Sequence, residues 1–181
     1  MGEVPAERLV FVDETGTHTR MTPLYARAPR GERAYGYVPR NHTRNTTLIA
    51  ALTLDGLDAP MVLEGAIDRE AFVAWLRHFL VPTLVPGQVV VMDNLSVHKG
   101  KQVRQIIEEA GCRLVYLPAY SPDYSPIEGA YSKVKTQVRR AAKRTQAELE
   151  RAIGGAVAAV TAQDAVGWFE HCGYHPTGQY L

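Results

Sequence analysis

The sequence predicts an α/β domain with a mixed five-stranded sheet flanked by helices, and three observations carry that prediction. Two apolar runs, Leu9-Val10-Phe11-Val12 and Val89-Val90-Val91-Met92, each end abruptly in an acid, Asp13 and Asp93. Continuous apolar runs of this kind suit strands buried on both faces. Between and after them lie stretches whose apolar residues recur at helical spacing, so strands and helices alternate along the second half of the chain. The order reads strand, meander, helix, strand, helix, strand, helix.

The first strand is closed by Thr15-Gly16, a turn signal. From Thr17 to Arg44 the chain is rich in Arg, Pro and Gly with Tyr25, Tyr35 and Tyr37 interleaved, a mixture that predicts a hairpin or flap able to grip a polyanion and stack on it. Arg44 to Thr53 is β-prone, and Asp55-Gly56 turns the chain into Met61-Val62-Leu63. Asp68 is placed to cap a helix carrying Phe72, Trp75, Leu76, Phe79 and Leu80 on one core face, ended by Pro82. After the second acid-terminated strand, Val103, Ile106, Ile107 and Ala110 mark a helix closed by Gly111, and Arg113 to Leu117 forms a further strand stopped by Pro118. The proline-rich stretch from Pro118 to Pro126, with Tyr120 inside it, reads as a fixed, extended lead-in. Ser125-x-x-Glu128 with Pro126 between has the form of a capping box. The helix that follows has a buried stripe of Ile127, Ala130 or Tyr131, Val134, Val138 and Ala141. Thr145-x-x-Glu148 caps a last helix with Leu149, Ile153, Ala156 and Val160, sealed onto the core by Trp168, Phe169 and Tyr174.

At 181 residues, 46% hydrophobic and 22% charged, the composition is that of one soluble globular domain. Cys112 and Cys172 are too few for a disulfide framework and lack the paired spacing of a zinc site. With no apolar stretch near the roughly 18 residues needed to cross a bilayer, and no basic-then-apolar leader pattern, a cytoplasmic protein is expected. The formal net charge of +1 hides a segregation. Arg20, Arg27, Arg30, Arg33, Arg40 and Arg44 face only Glu32 in their segment, and a second basic cluster includes Lys133, Lys135, Arg139 and Arg140. Such clusters on an otherwise acidic chain point to local contact with phosphates.

An acid at the carboxyl end of a buried strand lies where crevices open in α/β sheets. A haloacid-dehalogenase-type phosphatase would need a second Asp where this chain has Thr15, and an actin-like ATPase would need glycine-rich phosphate loops that are absent. Glu14 is expected to point away from Asp13, since strand neighbours alternate faces. The overall order is the ribonuclease-H-like layout. If the first and fourth strands pair about 4.8 Å apart, Asp13 and Asp93 can share a cation, and Glu128 docking from its helix completes a set of acids for two. Two Mg²⁺ ions about 3.5 to 4 Å apart clamp the attacking and leaving oxygens of an in-line displacement at phosphorus.

The motifs Phe-Val-Asp13-Glu-Thr-Gly, Val-Met-Asp93-Asn-Leu-Ser-Val-His98 and Leu-Pro-Ala-Tyr-Ser-Pro-Asp-Tyr-Ser-Pro-Ile-Glu128, with 34 residues between Asp93 and Glu128, resemble the catalytic domain of DDE transposases of the mariner-like superfamily, in its bacterial insertion-sequence branch. The resemblance implies that Asp13, Asp93 and Glu128 are the catalytic, metal-binding acids, that the cofactor is a pair of Mg²⁺ ions with Mn²⁺ as substitute, and that the reaction is DNA cleavage followed by strand transfer. Asn94 and His98 fit the pattern as residues that orient Asp93 or touch the scissile strand. Ser125 stands where many relatives carry Asn, and Tyr131 where many carry Trp. Arg27, Arg30, Arg33, Arg40, Arg44, Lys99, Lys133, Lys135, Arg139 and Arg140 are the expected DNA contacts, with transposon ends and target DNA as partners. A homo-oligomer is expected in the active complex, associated with the nucleoid. No helix-turn-helix precedes Leu9, so one catalytic domain over 1–181 is expected, with end recognition supplied by a separate or missing N-terminal region. The competing expectations are a non-catalytic DNA-binding remnant that regulates an intact transposase, and another ribonuclease-H-like nuclease.

Overall fold

The computed structural model describes residues 4–41, 44–119 and 121–177. Its elements are β1 (Leu9–Thr17), β2 (Thr46–Thr53), β3 (Gly56–Glu64), α1 (Arg69–Trp75), β4 (Val89–Met92), α2 (Lys101–Glu109), β5 (Arg113–Tyr116), α3 (Ile127–Ala141), α4 (Gln146–Ala158) and α5 (Ala162–His171). The five strands lie in the order β3-β2-β1-β4-β5. β1, β2 and β3 form an antiparallel meander, whereas β4 runs parallel to β1 and β5 parallel to β4. This is the expected mixed sheet in the ribonuclease-H-like order.

Alternation along β1 divides the core in two. Leu9 and Phe11 pack with Leu48, Leu52 and Val91 beneath α3, α4 and α5. Val10 and Val12 pack with Ile49, Val90 and Met92 against Phe72, Trp75, Val103 and Ile107 from α1 and α2. With helices on both faces, β1, β2 and β4 have no solvent side, which is why their sequences read as apolar runs rather than as alternating patterns.

Several expectations are corrected. Residues 18–41 form no strand ladder among the described residues: the segment is irregular and mostly exposed, so it is an extended arm rather than a hairpin. Asp68 does cap α1, its side chain accepting from the Ala71 N–H, but Leu76–Leu80 continues as a π-helical turn. The wider turn rotates Phe79 out of the core stripe, leaving it 43% exposed while Leu76 and Leu80 stay buried. Ala141 is exposed, because α3 ends there and Ala142 adopts the left-handed conformation at φ 48°. Thr145 caps α4, but α4 is not the last helix. Thr161 and Asp164 form a full capping box that starts α5, a signal of the same form as Thr145-x-x-Glu148 with Asp in place of Glu. Trp168, Phe169 and Tyr174 do seal the core: Phe169 meets Phe11 edge-on at 5.3 Å between ring centres, and Tyr174 lies 5.1 Å from Phe11.

Candidate active site

β1 and β4 pair in parallel up to Val12 opposite Met92, so the next residues, Asp13 within β1 and Asp93 just past β4, emerge together where that pairing ends; β1 itself runs on to Thr17 against β2, through the Thr15-Gly16 expected to close it. Glu128 comes from the first turn of α3. The three line one cleft of about 460 Å³ together with Asn94, Lys99 and Ser125. Among the described residues no three His, Cys, Asp or Glu side chains are drawn tightly enough to enclose one ion.

The start of α3 differs from the expected capping box. Its N-cap is Pro126, and no side chain caps it. The Ser125 carbonyl instead accepts the Glu128 N–H at 3.1 Å. The Ser125 N–H donates to the Pro122 carbonyl at 2.9 Å, and Glu128 lines the cleft. The lead-in is anchored elsewhere: the Tyr174 hydroxyl donates to the Tyr124 carbonyl at 2.9 Å. Tyr120 lies outside the described residues.

Tyr131 is buried in the stripe of α3, and its hydroxyl donates to the Asp13 carbonyl while accepting the Ala50 N–H at 3.1 Å. Asp13 and Ala50 are register partners on β1 and β2, so one phenol ties α3 to both strands directly behind the first acid. Burial, followed by the nearby Asp13 charge, pushes this phenol well above its ordinary range and keeps it a neutral donor. Trp at this position would carry a donor and no acceptor, so it could serve the carbonyl but not the Ala50 N–H.

Asp13 is pushed up to about 7 chiefly by burial, with Glu14, Asp93 and Glu128 adding like charge, against a lowering bond from the Glu14 N–H. Three acids converging on one cleft are a donor set suited to a cation, whose charge would offset both causes. Oxygen donors alone, with room for water and phosphate, match Mg²⁺ or Mn²⁺ rather than zinc.

Glu14 points away from Asp13 as expected, yet it is connected to the site. His98, 0% exposed and 4.7 Å between ring centres from Phe72, places Nε2 2.9 Å from Glu14 Oε2 and Nδ1 2.6 Å from Asp93 Oδ1. When both carboxylates are ionised they can only accept, and both ring nitrogens then carry hydrogens. Burial works against the charged ring, but its bonds and charge attraction to Glu14 and Asp93 prevail and raise His98 above its ordinary value. Asn94 donates from Nδ2 to the Leu117 carbonyl, tying the ends of β4 and β5 together.

The basic residues separate into groups. Lys99 lines the cleft. Arg27, Arg30, Arg33 and Arg40 stand exposed on the 18–41 arm beside the exposed Tyr25, Tyr35 and Tyr37, and none of them lines the cleft. Arg44 pairs with Glu64 at 3.8 Å. Lys135, Arg139 and Arg140 lie along α3, Arg140 being the most open. Lys133 is different: its ammonium is bonded to Asp164 in the cap of α5, a structural engagement that its helix face did not reveal. Arg144, absent from the expected contacts, donates to the Thr19 and Met21 carbonyls at 2.8 and 3.1 Å and so pins the root of the arm.

The family model for the DDE superfamily endonucleases matches residues 8–150. The chain belongs to the DDE superfamily of endonucleases. Asp13, Asp93 and Glu128 all fall within the matched span. Solved structures similar to this DDE chain include the Mos1 transposase paired-end complex with the left transposon end, at TM-score 0.70 and 16% identity over 92% of this chain and 52% of that one. The mariner Mos1 paired-end complex with Mg gives 0.72 and 16% over 93% and 54%. The Mos1 catalytic domain with raltegravir and Mn gives 0.63 and 14% over 94% and 78%. These likenesses establish the ribonuclease-H-like fold, and this DDE chain spans about half the length of the paired-end structures. No curated protein sequence matches it, and no helix among the described residues is long and apolar enough to cross a membrane.

Proposed function

We propose that this chain is the catalytic domain of a transposase that cuts DNA at element ends and joins the released 3′ end to a target. The observation that carries the reading is the convergence of Asp13, Asp93 and Glu128, from the point where two parallel strands part and from one helix start, on a single cleft. Two Mg²⁺ ions, or Mn²⁺, held by these acids would supply Lewis-acid stabilisation of the attacking and leaving oxygens at phosphorus. The chain's own residues do the rest. Asp13 and Asp93 are fixed by the strand pairing that also fixes their backbone, so the donors are placed before DNA arrives. Glu128 approaches from α3, whose docking is set by the Tyr131 hydroxyl. Lys99 offers the cleft a positive charge for a backbone phosphate, while the arm arginines, with Lys135, Arg139 and Arg140, provide sequence-blind contacts to the flanking strand. Exposed Tyr25, Tyr35 and Tyr37 provide faces on which unpaired bases stack.

The test is cleavage of a supercoiled plasmid in Mg²⁺ or Mn²⁺ by wild type and Asp93→Asn, with DNA binding followed by gel shift. The variant is expected to bind like wild type and to lose cleavage by three orders of magnitude or more, of the size seen when an essential electrostatic catalyst is removed (about 10³-fold). Cleavage by Asp93→Asn near the wild-type rate would refute the assignment.

A further inference from the structure

We infer that Glu14 is a positioning residue for the metal-binding acid of the neighbouring strand, acting through His98 as the outer member of a carboxylate–imidazole–carboxylate bridge. The inference rests on the metal-site reading above. Asp13 and Glu14 are consecutive in β1, just past its last residue paired with β4, and alternation sends them to opposite faces of the sheet. Asp13 faces the cleft. Glu14 faces the α1 and α2 layer, where it meets the buried imidazole, and that imidazole returns through the end of the sheet to Asp93.

The bridge is held at every point. The His98 ring lies against Phe72 of α1, and the His98 carbonyl accepts from the Tyr116 hydroxyl of β5 at 2.8 Å. The loop that carries it is clasped from outside by Arg69, which donates to the Ser96 carbonyl at 2.9 Å. At the far end, Asp93 Oδ1 accepts twice, from His98 Nδ1 at 2.6 Å and from the Leu95 N–H at 2.9 Å. Two donors converging on Oδ1 hold the carboxylate in one rotamer and leave Oδ2 for the cleft. Without Glu14, the Nε2–H of a fully buried ring has no acceptor, and the ring loses the contact that sets its tilt. A hydrogen-bonded partner behind a metal ligand orients that ligand, and its loss typically costs about 10- to 100-fold in metal affinity or activity.

The experiment measures Mn²⁺ binding to the full chain by the electron paramagnetic resonance signal of the free ion, for wild type, Glu14→Ala, Glu14→Gln, His98→Ala and the Glu14→Ala/His98→Ala pair. Thermal denaturation of each reports on folding. Glu14→Ala is expected to weaken Mn²⁺ binding about 10- to 100-fold, and Glu14→Gln to restore most of it, because the amide oxygen still accepts from Nε2. The double variant is expected to bind no more weakly than His98→Ala alone, since residues acting through one another do not add. Plasmid cleavage by Glu14→Ala should lose kcat with KM for DNA unchanged. Wild-type Mn²⁺ affinity in Glu14→Ala, losses that add in the double variant, or a Gln variant as impaired as the Ala variant would each overturn the inference while leaving the metal site in place. Should His98→Ala not fold, the Ala and Gln comparison at Glu14 decides alone. A wild-type chain that binds no Mn²⁺ would overturn the metal-site reading, and this inference with it.

Discussion

Replacing Tyr131 by Phe removes one oxygen that serves two backbone groups. The ring remains, so the apolar packing of α3 against β1 and β2 is nearly unchanged and the cost lies in hydrogen bonding. The Asp13 carbonyl loses its donor and the Ala50 N–H its acceptor, both in a region where Tyr131 and Ala50 are fully buried or nearly so. Leaving a buried group unpaired costs about 1 to 3 kcal/mol, so two such groups put the loss at roughly 2 to 6 kcal/mol. For a chain of this size, each kcal/mol lowers the melting temperature by about 2 to 4 °C. Urea denaturation followed by far-ultraviolet circular dichroism should therefore show a lower midpoint with an unchanged slope. DNA cleavage should fall as well, because the carbonyl that loses its anchor belongs to the residue carrying the first acid. A stability change below about 0.5 kcal/mol, the range of ordinary surface substitutions, would show that β1 and β2 close directly on one another and that the hydroxyl is dispensable.

Three further outcomes are expected. Gly129→Ala places a Cβ 2.6 to 2.8 Å from the Trp168 indole, so overpacking of about 1 to 3 kcal/mol outweighs the helix-propensity gain of up to about 1 kcal/mol. Thermal denaturation should show a net loss that Trp168→Leu in the same chain relieves. Lys133 is the largest cause that holds Asp164 down at about 2. A depressed acid stabilises the fold above its ordinary range near pH 4 and loses that contribution as pH falls towards 2. Lys133→Met should accordingly be less stable than wild type at pH 7, by roughly 0.5 to 1 kcal/mol for a half-exposed pair, with the gap closing between pH 4 and 2 in urea titrations; a constant gap would assign the loss to packing. Arg144→Ala removes two bonds that hold the root of the arm, and trypsin should cut at Arg27, Arg30 or Arg33 several-fold faster with no change in midpoint.

The sheet order could be read ahead of the structure because its central strands are buried on both faces and so announce themselves as apolar runs with acids at their ends. Asp13 and Asp93 were visible for the same reason, and Glu128 because an acid in the first turn of a helix is a local pattern. Phe79 was misread because one π-helical turn breaks the 3.6-residue period on which the reading of α1 relied. Ser125 was misread as a cap because capping pattern and capping geometry part company when Pro126 occupies the N-cap position itself.

The sequence by itself determined the apolar cores of the strands, most of the helices, the three acids that line the cleft and the family, since each depends on patterns spanning a few residues or on motifs in a fixed order. Only the tertiary structure decided which residues stand behind those acids. Glu14 and His98 are 84 positions apart, Tyr131 and Asp13 are 118 apart, and Arg144 lies 125 residues from Thr19. Alternation indicated which face Glu14 takes, but a periodicity says nothing about what waits on that face. The imidazole is there because β1 and β4 pair in one particular register and α1 closes over the end of the sheet, and these are properties of packing rather than of any short stretch of chain.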